Sequence, residues 1–328
     1  MSDEVLRADA LRALCAAGDE SHHALSDTPY LLCDPAGLDD DDALTAWLRT
    51  RPCPVIGIGD GSAAVPDTCD AIAASERELA AMTAAIRRTP LAATVLVQLL
   101  RASEGLPLEA ALIAESLAYA TLQGGREFRA WLAGHRPAPP PAFDDGPAVL
   151  LERDDERLRL TLNRPSNRNA MTVEMRDALC EALQLALLDP GIAQVRIDAR
   201  GKCFSTGGDL GEFGSAPDTA TAHAVRSLAL PGRLLARCGE RAAVALHGAC
   251  VGSGIEFPAF AARTEAREDA WFQLPELKYG LIPGAGGCVS VTRRIGRQRT
   301  AWMVLSGQRI AARTALEWGL IDAIIPAP

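Results

Sequence analysis

Apolar side chains recur every three to four residues in two alanine-rich stretches of the first half of the chain. Leu91, Val95 and Leu99 mark one helix over 90–101, and Leu108, Leu112, Ser116 and Tyr119 mark another over 108–123. The pattern changes beyond residue 140. LRLTL at 158–162 alternates as a strand does, helical period returns over 175–188, and further strands are expected at 195–198, 243–246 and 321–325. Strands alternating with helices predict an α/β layered domain. Between the two regimes lies Arg136-Pro137-Ala138-Pro139-Pro140-Pro141, which cannot continue a helix and is expected to run as an extended spacer. The reading is a largely helical N-terminal module over 1–136, a Pro-rich linker over 137–146 and an α/β core over 147–328.

The halves also resemble each other weakly. RPCPVIGIGDGSA (51–63) lies over ERAAVALHGAC (240–250) with Gly61 on Gly248, YLLCDPAG (30–37) suits RIDARG (196–201), and Asp70-Ala71-Ile72 matches Asp322-Ala323-Ile324. The first half then reads as a degenerate copy that lost its chemistry-bearing loops.

Composition narrows the class. The 328 residues are 48% hydrophobic and 23% charged, with a formal net charge of −9, a globular profile. Residues 1–143 hold 11 basic and 20 acidic side chains, and 144–328 hold 22 of each. No basic stripe is available for a phosphate backbone, so nucleic acid is excluded as a partner. No apolar run reaches membrane-span length, and the start, MSDEVLRADALRALC, has no apolar signal core. The nine cysteines are scattered and never spaced CxxC, and read as reduced, buried, small apolar residues. A cytoplasmic protein is expected, with no bound metal. The run Asp39–Asp42 lacks alternating ligand spacing, and the five histidines, including His247, show no metal pattern. VIGIGDG (55–61) reads as a copy of the Gly248 turn rather than a phosphate loop.

The residues with chemical promise lie between 163 and 287. CFSTGGDL (203–210) is a small-residue loop after an expected strand, where a main-chain amide can approach a ligand oxygen. GACVGSGIE (248–256) is a Gly/Ser-rich turn running into an expected helix at FPAFAAR, and unpaired amides at a helix start suit a developing oxyanion. FQLPELKYG (272–280) precedes LIPGAGG (281–287). Glu256 and Glu276 both sit in apolar or glycine-rich company, a setting that desolvates carboxyls.

In this order and spacing, with LTLNRP (160–165) and Asn169-Ala170-Met171 before them, these pieces resemble the crotonase (enoyl-CoA hydratase/isomerase) superfamily over about 147–328. The resemblance implies a spiral of ββα turns, a homotrimer or hexamer, an acyl-CoA thioester substrate, and no cofactor beyond the coenzyme A of that substrate. It places the oxyanion-hole amides at Thr206 and Ser253 and the catalytic carboxyls at Glu256 and Glu276, with Glu256 mainly on water and Glu276 on the α-proton. Substrate contacts are expected from Ser205, Gly207, Gly208, Asp209, Gly252, Gly254, Pro283 and Gly284. Two carboxyls favour hydration of a 2-enoyl-CoA. The alternatives are an isomerase or another reaction of the superfamily, and a non-catalytic protein that binds acyl-CoA or acyl-carrier protein. Ser166 stands where a CoA-contacting lysine is common, with Arg168 as a substitute. The segment 88–137 resembles the helical tail with which members of the superfamily close the acyl pocket, so these helices are expected to dock on the core.

Overall fold

The computed structural model describes residues 4–36, 38, 41–59, 67–136 and 144–326. Residues 137–143 of the linker, Gly61, Asp39 and Asp40 lie outside the described residues.

The first part runs β1 (Val5–Leu6), α1 (Ala8–Ala17), β2 (Leu31–Cys33), α2 (Asp42–Arg49), β3 (Val55–Ile58) and β4 (Ala71–Ala73). Four helices follow: α3 (Glu76–Arg88), α4 (Pro90–Ala102), α5 (Leu108–Gln123) and α6 (Arg126–Gly134). The helical period over 90–101 and 108–123 thus marks α4 and α5. The strands form a four-stranded parallel sheet in the order β1-β2-β3-β4, so the helical reading of 1–136 misses a sheet. Its strands hold two to four residues each, too short for alternation to stand out.

The second part begins with β5 (Val149–Asp154), β6 (Arg157–Leu162), α7 (Val173–Leu188) and β7 (Gln194–Ala199). It continues through α8 (Thr219–Leu228), α9 (Pro231–Cys238), β8 (Ala242–Leu246), β9 (Ala249–Val251) and α10 (Ser253–Glu256). Then come β10 (Arg263–Arg267), β11 (Trp271–Gln273), α11 (Gly287–Ile295), α12 (Arg297–Ser306), β12 (Ile310–Ala311), α13 (Ala312–Trp318) and β13 (Ala323–Ile325). A six-stranded sheet has the order β13-β10-β8-β7-β6-β5, parallel except for the β5–β6 hairpin, and a three-stranded sheet has the order β12-β11-β9. Strands β8 and β10 in the large sheet are followed within a few residues by β9 and β11 in the small one, which pair in parallel. After β7 the chain does the same, with Ser205 bridging Cys250. This repeated step between two sheets is the expected spiral.

One expected helix is not formed. After α10 the chain makes a 3₁₀ turn over Pro258–Phe260, and Arg263 already lies in β10. Pro258 has no N–H for the α-helical bond back to residue 254, so the ladder stops there.

The two parts share one apolar core. It runs from Ile56, Leu96, Leu122 and Phe128 to Leu160, Val244, Phe257 and Leu305. Burial of this kind is the main driving force for docking helices on a sheet domain. A polar knot adds specificity. Asp70, 1% exposed, accepts from Arg101 and from Arg297 Nη1 at 3.2 Å, while Arg297 also donates to the Asp67 carbonyl at 2.9 Å and to Glu104 Oε1 at 3.1 Å. Replacing Asp70 by Ala leaves two buried guanidinium groups without their shared anion. It is expected to lower unfolding stability by about 3–5 kcal/mol, measured by denaturant titration, whereas a surface pair would cost under about 1 kcal/mol. All nine cysteines are free thiols, and eight are buried. No helix among the described residues is long and apolar enough to cross a membrane.

Candidate active site

A cavity of about 480 Å³ opens between the α5–α8 pair and the turns that follow the sheet strands. Glu256, the last residue of α10, and Glu276, the first of a 3₁₀ turn over Glu276–Tyr279, both line it and are 3% and 9% exposed. Gly252 shows how close they come. A side chain there would start 2.8 Å from Glu276 Oε1 and 3.7 Å from Glu256 Oε1. Gly252 has φ +50°, so both space and backbone require glycine, and the two carboxyls converge over it.

The carboxyls are held differently. Glu256 Oε2 accepts from the amides of Ala285 at 2.7 Å and Gly287 at 3.0 Å, which leaves Oε1 facing the Gly252 side. Glu276 Oε2 is buried with no hydrogen-bond partner among the described residues, as is Ser253 Oγ. Unpaired buried polar atoms cost about 1–3 kcal/mol each and concentrate where a substrate completes the bonding. Burial pushes the Glu256 carboxyl up to about 7, against the amides of Ala285, Gly287 and Gly284. Burial, then the Glu256 charge, holds Glu276 well above the ordinary carboxyl range. Both carboxyls are therefore held toward the protonated form and lose their protons as a pair.

This has a stability consequence. A carboxyl whose pKa rises from 4.5 to about 7 on folding binds its proton more tightly in the folded state. Its contribution is present below the unfolded value and is lost as pH rises through the folded one. Relative to wild type, Glu256→Gln is therefore expected to gain on the order of 3 kcal/mol between pH 4.5 and 8, read as a pH-dependent difference in melting temperature.

Of the two amides expected to form an oxyanion hole, at Thr206 and Ser253, one is already bonded. The Thr206 amide donates to the Arg168 carbonyl at 3.2 Å and is not free for a substrate oxygen. Two residues on, Met171 bridges Gly208 in parallel: the Met171 amide donates to the Gly207 carbonyl at 2.8 Å and the Asp209 amide to the Met171 carbonyl at 3.3 Å. In that pattern the Gly208 N–H points away from Met171. Among the described residues neither the Gly208 nor the Ser253 amide makes a hydrogen bond, and both residues line the cavity.

Of the other expected contacts, Gly207, Asp209, Gly252 and Gly284 line the cavity, and Ser205, Gly254 and Pro283 do not. Ser205 is fully buried, and its hydroxyl donates to the Asn169 carbonyl at 2.7 Å and accepts from the Gly207 amide at 3.2 Å. Gly254 lies against the Ser205 carbonyl, so both shape the loop from behind. The Pro283 carbonyl accepts the Cys288 thiol. Ser166 is tied to Asp144 Oδ2 through its hydroxyl at 2.6 Å. His247 pairs with the Gly201 carbonyl and stands outside this cavity.

Residues absent from the sequence reading come from α5 and α6. Glu115 is 2% exposed, and its carboxyl accepts from the Gly286 amide at 2.7 Å and the Cys288 amide at 2.8 Å. Successive amides of the 285–288 loop thus alternate between Glu256 and Glu115. Tyr119, one turn on, packs its ring against Gly284, where any side chain would start 2.3 Å from the ring. Gln123 follows at the next turn, also on the cavity wall. From α6, the Trp131 ring lies tilted 5.0 Å from Tyr279 and edge-on 6.0 Å from Phe213, packing against the Glu276 turn and the loop after Asp209. An acid at position 115 inside an otherwise apolar helical face was the available signal.

The same architecture is found in known proteins. A sequence model described as enoyl-CoA hydratase/isomerase matches residues 154–328. The chain is 34% identical over 179 residues to the 2,3-dehydroadipyl-CoA hydratase of Escherichia coli, a match covering 55% of this chain and 69% of that one. It is 30% identical over 177 residues to the trans-2-decenoyl-acyl-carrier-protein isomerase of Streptococcus mutans, covering 53% and 67%. Among solved structures, an enoyl-CoA hydratase from Mycobacterium smegmatis superposes with a TM-score of 0.51 at 27% identity, covering 55% of this chain and 71% of that one. An enzyme from Thermoplasma volcanium of the same description gives a TM-score of 0.51 at 27% identity, covering 56% and 73%. With its spiral core and its paired acids, this chain belongs to the enoyl-CoA hydratase/isomerase family.

Proposed function

We propose that the chain adds water across the double bond of a 2-enoyl-CoA thioester. The observation that carries this reading is the convergence of Glu256 Oε1 and Glu276 Oε1 over Gly252, beside two unbonded main-chain amides. The thioester carbonyl oxygen accepts from the Gly208 and Ser253 amides, which draws electrons from the conjugated double bond and makes Cβ electrophilic. Glu256, in its ionised form, takes a proton from water as the water oxygen bonds to Cβ. The π pair moves toward Cα and the carbonyl oxygen, and Glu276, still protonated, delivers its proton to Cα. Proton exchange between the carboxyls and solvent restores the starting state.

Helices α4–α6 are proposed to do here what the C-terminal helices do in the superfamily this chain resembles, since α5 walls the cavity and holds the 285–288 loop. The test is incubation with crotonyl-CoA and longer 2-enoyl-CoAs while the conjugated thioester absorbance is followed. Loss of absorbance with formation of the 3-hydroxyacyl-CoA supports hydration. An isomerase of the kind the name of the Streptococcus relative describes would move the double bond of a 2-enoyl thioester out of conjugation, losing the absorbance without forming the 3-hydroxyacyl-CoA. Inertness toward every 2-enoyl-CoA would favour a binding protein.

A further inference from the structure

The wall of the cavity built by α5 and α8 carries a guanidinium with no anion of its own. Arg226, in α8, is partly buried and lines the cavity. Its Nε donates to Ser116 Oγ at 3.1 Å, Nη1 to Gln123 Oε1 at 2.9 Å and Nη2 to the Ser116 carbonyl at 3.2 Å. Its plane lies 4.6 Å from the centre of the Tyr119 ring. All of these partners are neutral.

No ion pair to Arg226 occurs among the described residues. The carboxyl that acts on it electrostatically is Glu115, whose oxygens are already bonded to the Gly286 and Cys288 amides. Of the other acids on the wall, Asp209 accepts from the Gly211 amide, Glu212 from the Val173 amide and Glu256 from the Ala285 and Gly287 amides, while Glu276 keeps Oε2 unbonded. None of them pairs with Arg226 among the described residues. Burial pushes the Arg226 pKa below its ordinary value, a sign that the charge is poorly compensated. Leaving a charge desolvated without a counter-ion is costly, and a neutral cradle lowers that cost while fixing the fork in one orientation. Three of the five guanidinium N–H groups are used, so two remain for a ligand.

A purely hydrocarbon acyl chain would leave those donors unbonded and the charge more deeply desolvated. We infer that the cavity selects acyl groups whose far end carries a carboxylate, read by the Arg226 fork with Gln123 and Tyr119 beside it. A planar guanidinium matches a carboxylate through two parallel hydrogen bonds, and the apolar side chains of Val225, Ala222 and Met171 line the same cavity for the intervening methylenes. This rests on the reading of the cavity as an acyl-CoA site, though not on hydration itself.

The test therefore uses saturated thioesters, which cannot react. Calorimetric titration of the full chain compares butanoyl- with succinyl-, hexanoyl- with adipoyl-, and octanoyl- with suberoyl-CoA. At the best chain length the dicarboxylic member is expected to bind at least about 10-fold more tightly, and Arg226→Met to bring the two within about 2-fold. If the variant fails to fold, the wild-type comparison alone decides. Equal or tighter binding of the hydrocarbon member at every length overturns the inference and leaves hydration standing. Discrimination among the saturated thioesters, with no turnover of the corresponding 2-enoyl-CoAs in the absorbance assay, supports it and removes hydration. Failure of every CoA thioester to bind overturns both.

Discussion

Replacing Glu276 by Gln is expected to lower kcat on a 2-enoyl-CoA by about 10²–10⁴ while KM stays within a few-fold. Gln is close to isosteric, and Glu276 Oε2 makes no hydrogen bond among the described residues, so packing loses little. In the proposed mechanism what disappears is the acidic proton for Cα. Glu256→Gln is expected to fall in the same range because it removes the base on water, and the double variant to fall by less than the product, since the pair acts as a unit. The pH profile reports on the pair. Wild-type kcat/KM should rise across neutral pH as the two carboxyls lose their first proton and fall at higher pH as they lose the second. A Glu276→Gln variant with wild-type kcat would remove the proton-delivery role, and a flat profile across neutrality would remove the description of the carboxyls as a titrating pair.

Deleting residues 1–136 is expected to abolish activity and to leave the remainder aggregated or molten. Three losses combine. The Gly286 and Cys288 amides lose Glu115, and with it the order of the loop that holds Glu256. The ring of Tyr119 leaves Gly284, and Trp131 leaves Tyr279 and Phe213, so both the Glu276 turn and the cavity wall lose their backing. The apolar core shared between the parts is opened to water, exposing surface of the kind that drives association. Ellipticity in the near ultraviolet and turnover of crotonyl-CoA measure the two effects. A soluble, fully active 137–328 fragment would show that the N-terminal helices merely accompany the core.

Much of the fold was legible because its elements are locally encoded. The periods over 90–101, 108–123 and 175–188 mark α4, α5 and α7, and the alternation at 158–162 marks β6. The N-terminal sheet does not show in the alternation, since its strands hold only two to four residues, yet the segments 30–37, 51–63 and 70–72 that resemble the second half are where β2, β3 and β4 lie. The expected helix at 257–263 failed because Pro258 interrupts the ladder immediately after α10, a local effect that the apolar pattern hid.

The site divides in the same way. Glu256, Glu276, Ser253 and the glycines at 207, 208, 252 and 284 could be named as candidates because the ordered motifs at 203–210, 248–256 and 272–287 resemble those of a known family. The choice between the Thr206 and Gly208 amides could not, because it depends on which N–H the Arg168 carbonyl and the Met171 bridge have already taken. Glu115, Tyr119 and Gln123 repeat every four residues on one helix, which says they share a face but not what that face meets. Sequence alone determined the family, its spiral core, and the two acids as candidates, and it pointed to the helices of 88–137 as a wall for the core. Only the tertiary structure decided that α5 is the helix on the cavity, that one loop's amides alternate between Glu256 and Glu115, and that Arg226 pairs with no anion among the described residues. Period and composition act over a few residues, whereas hydrogen-bond pairing and desolvation depend on segments more than a hundred residues apart in sequence.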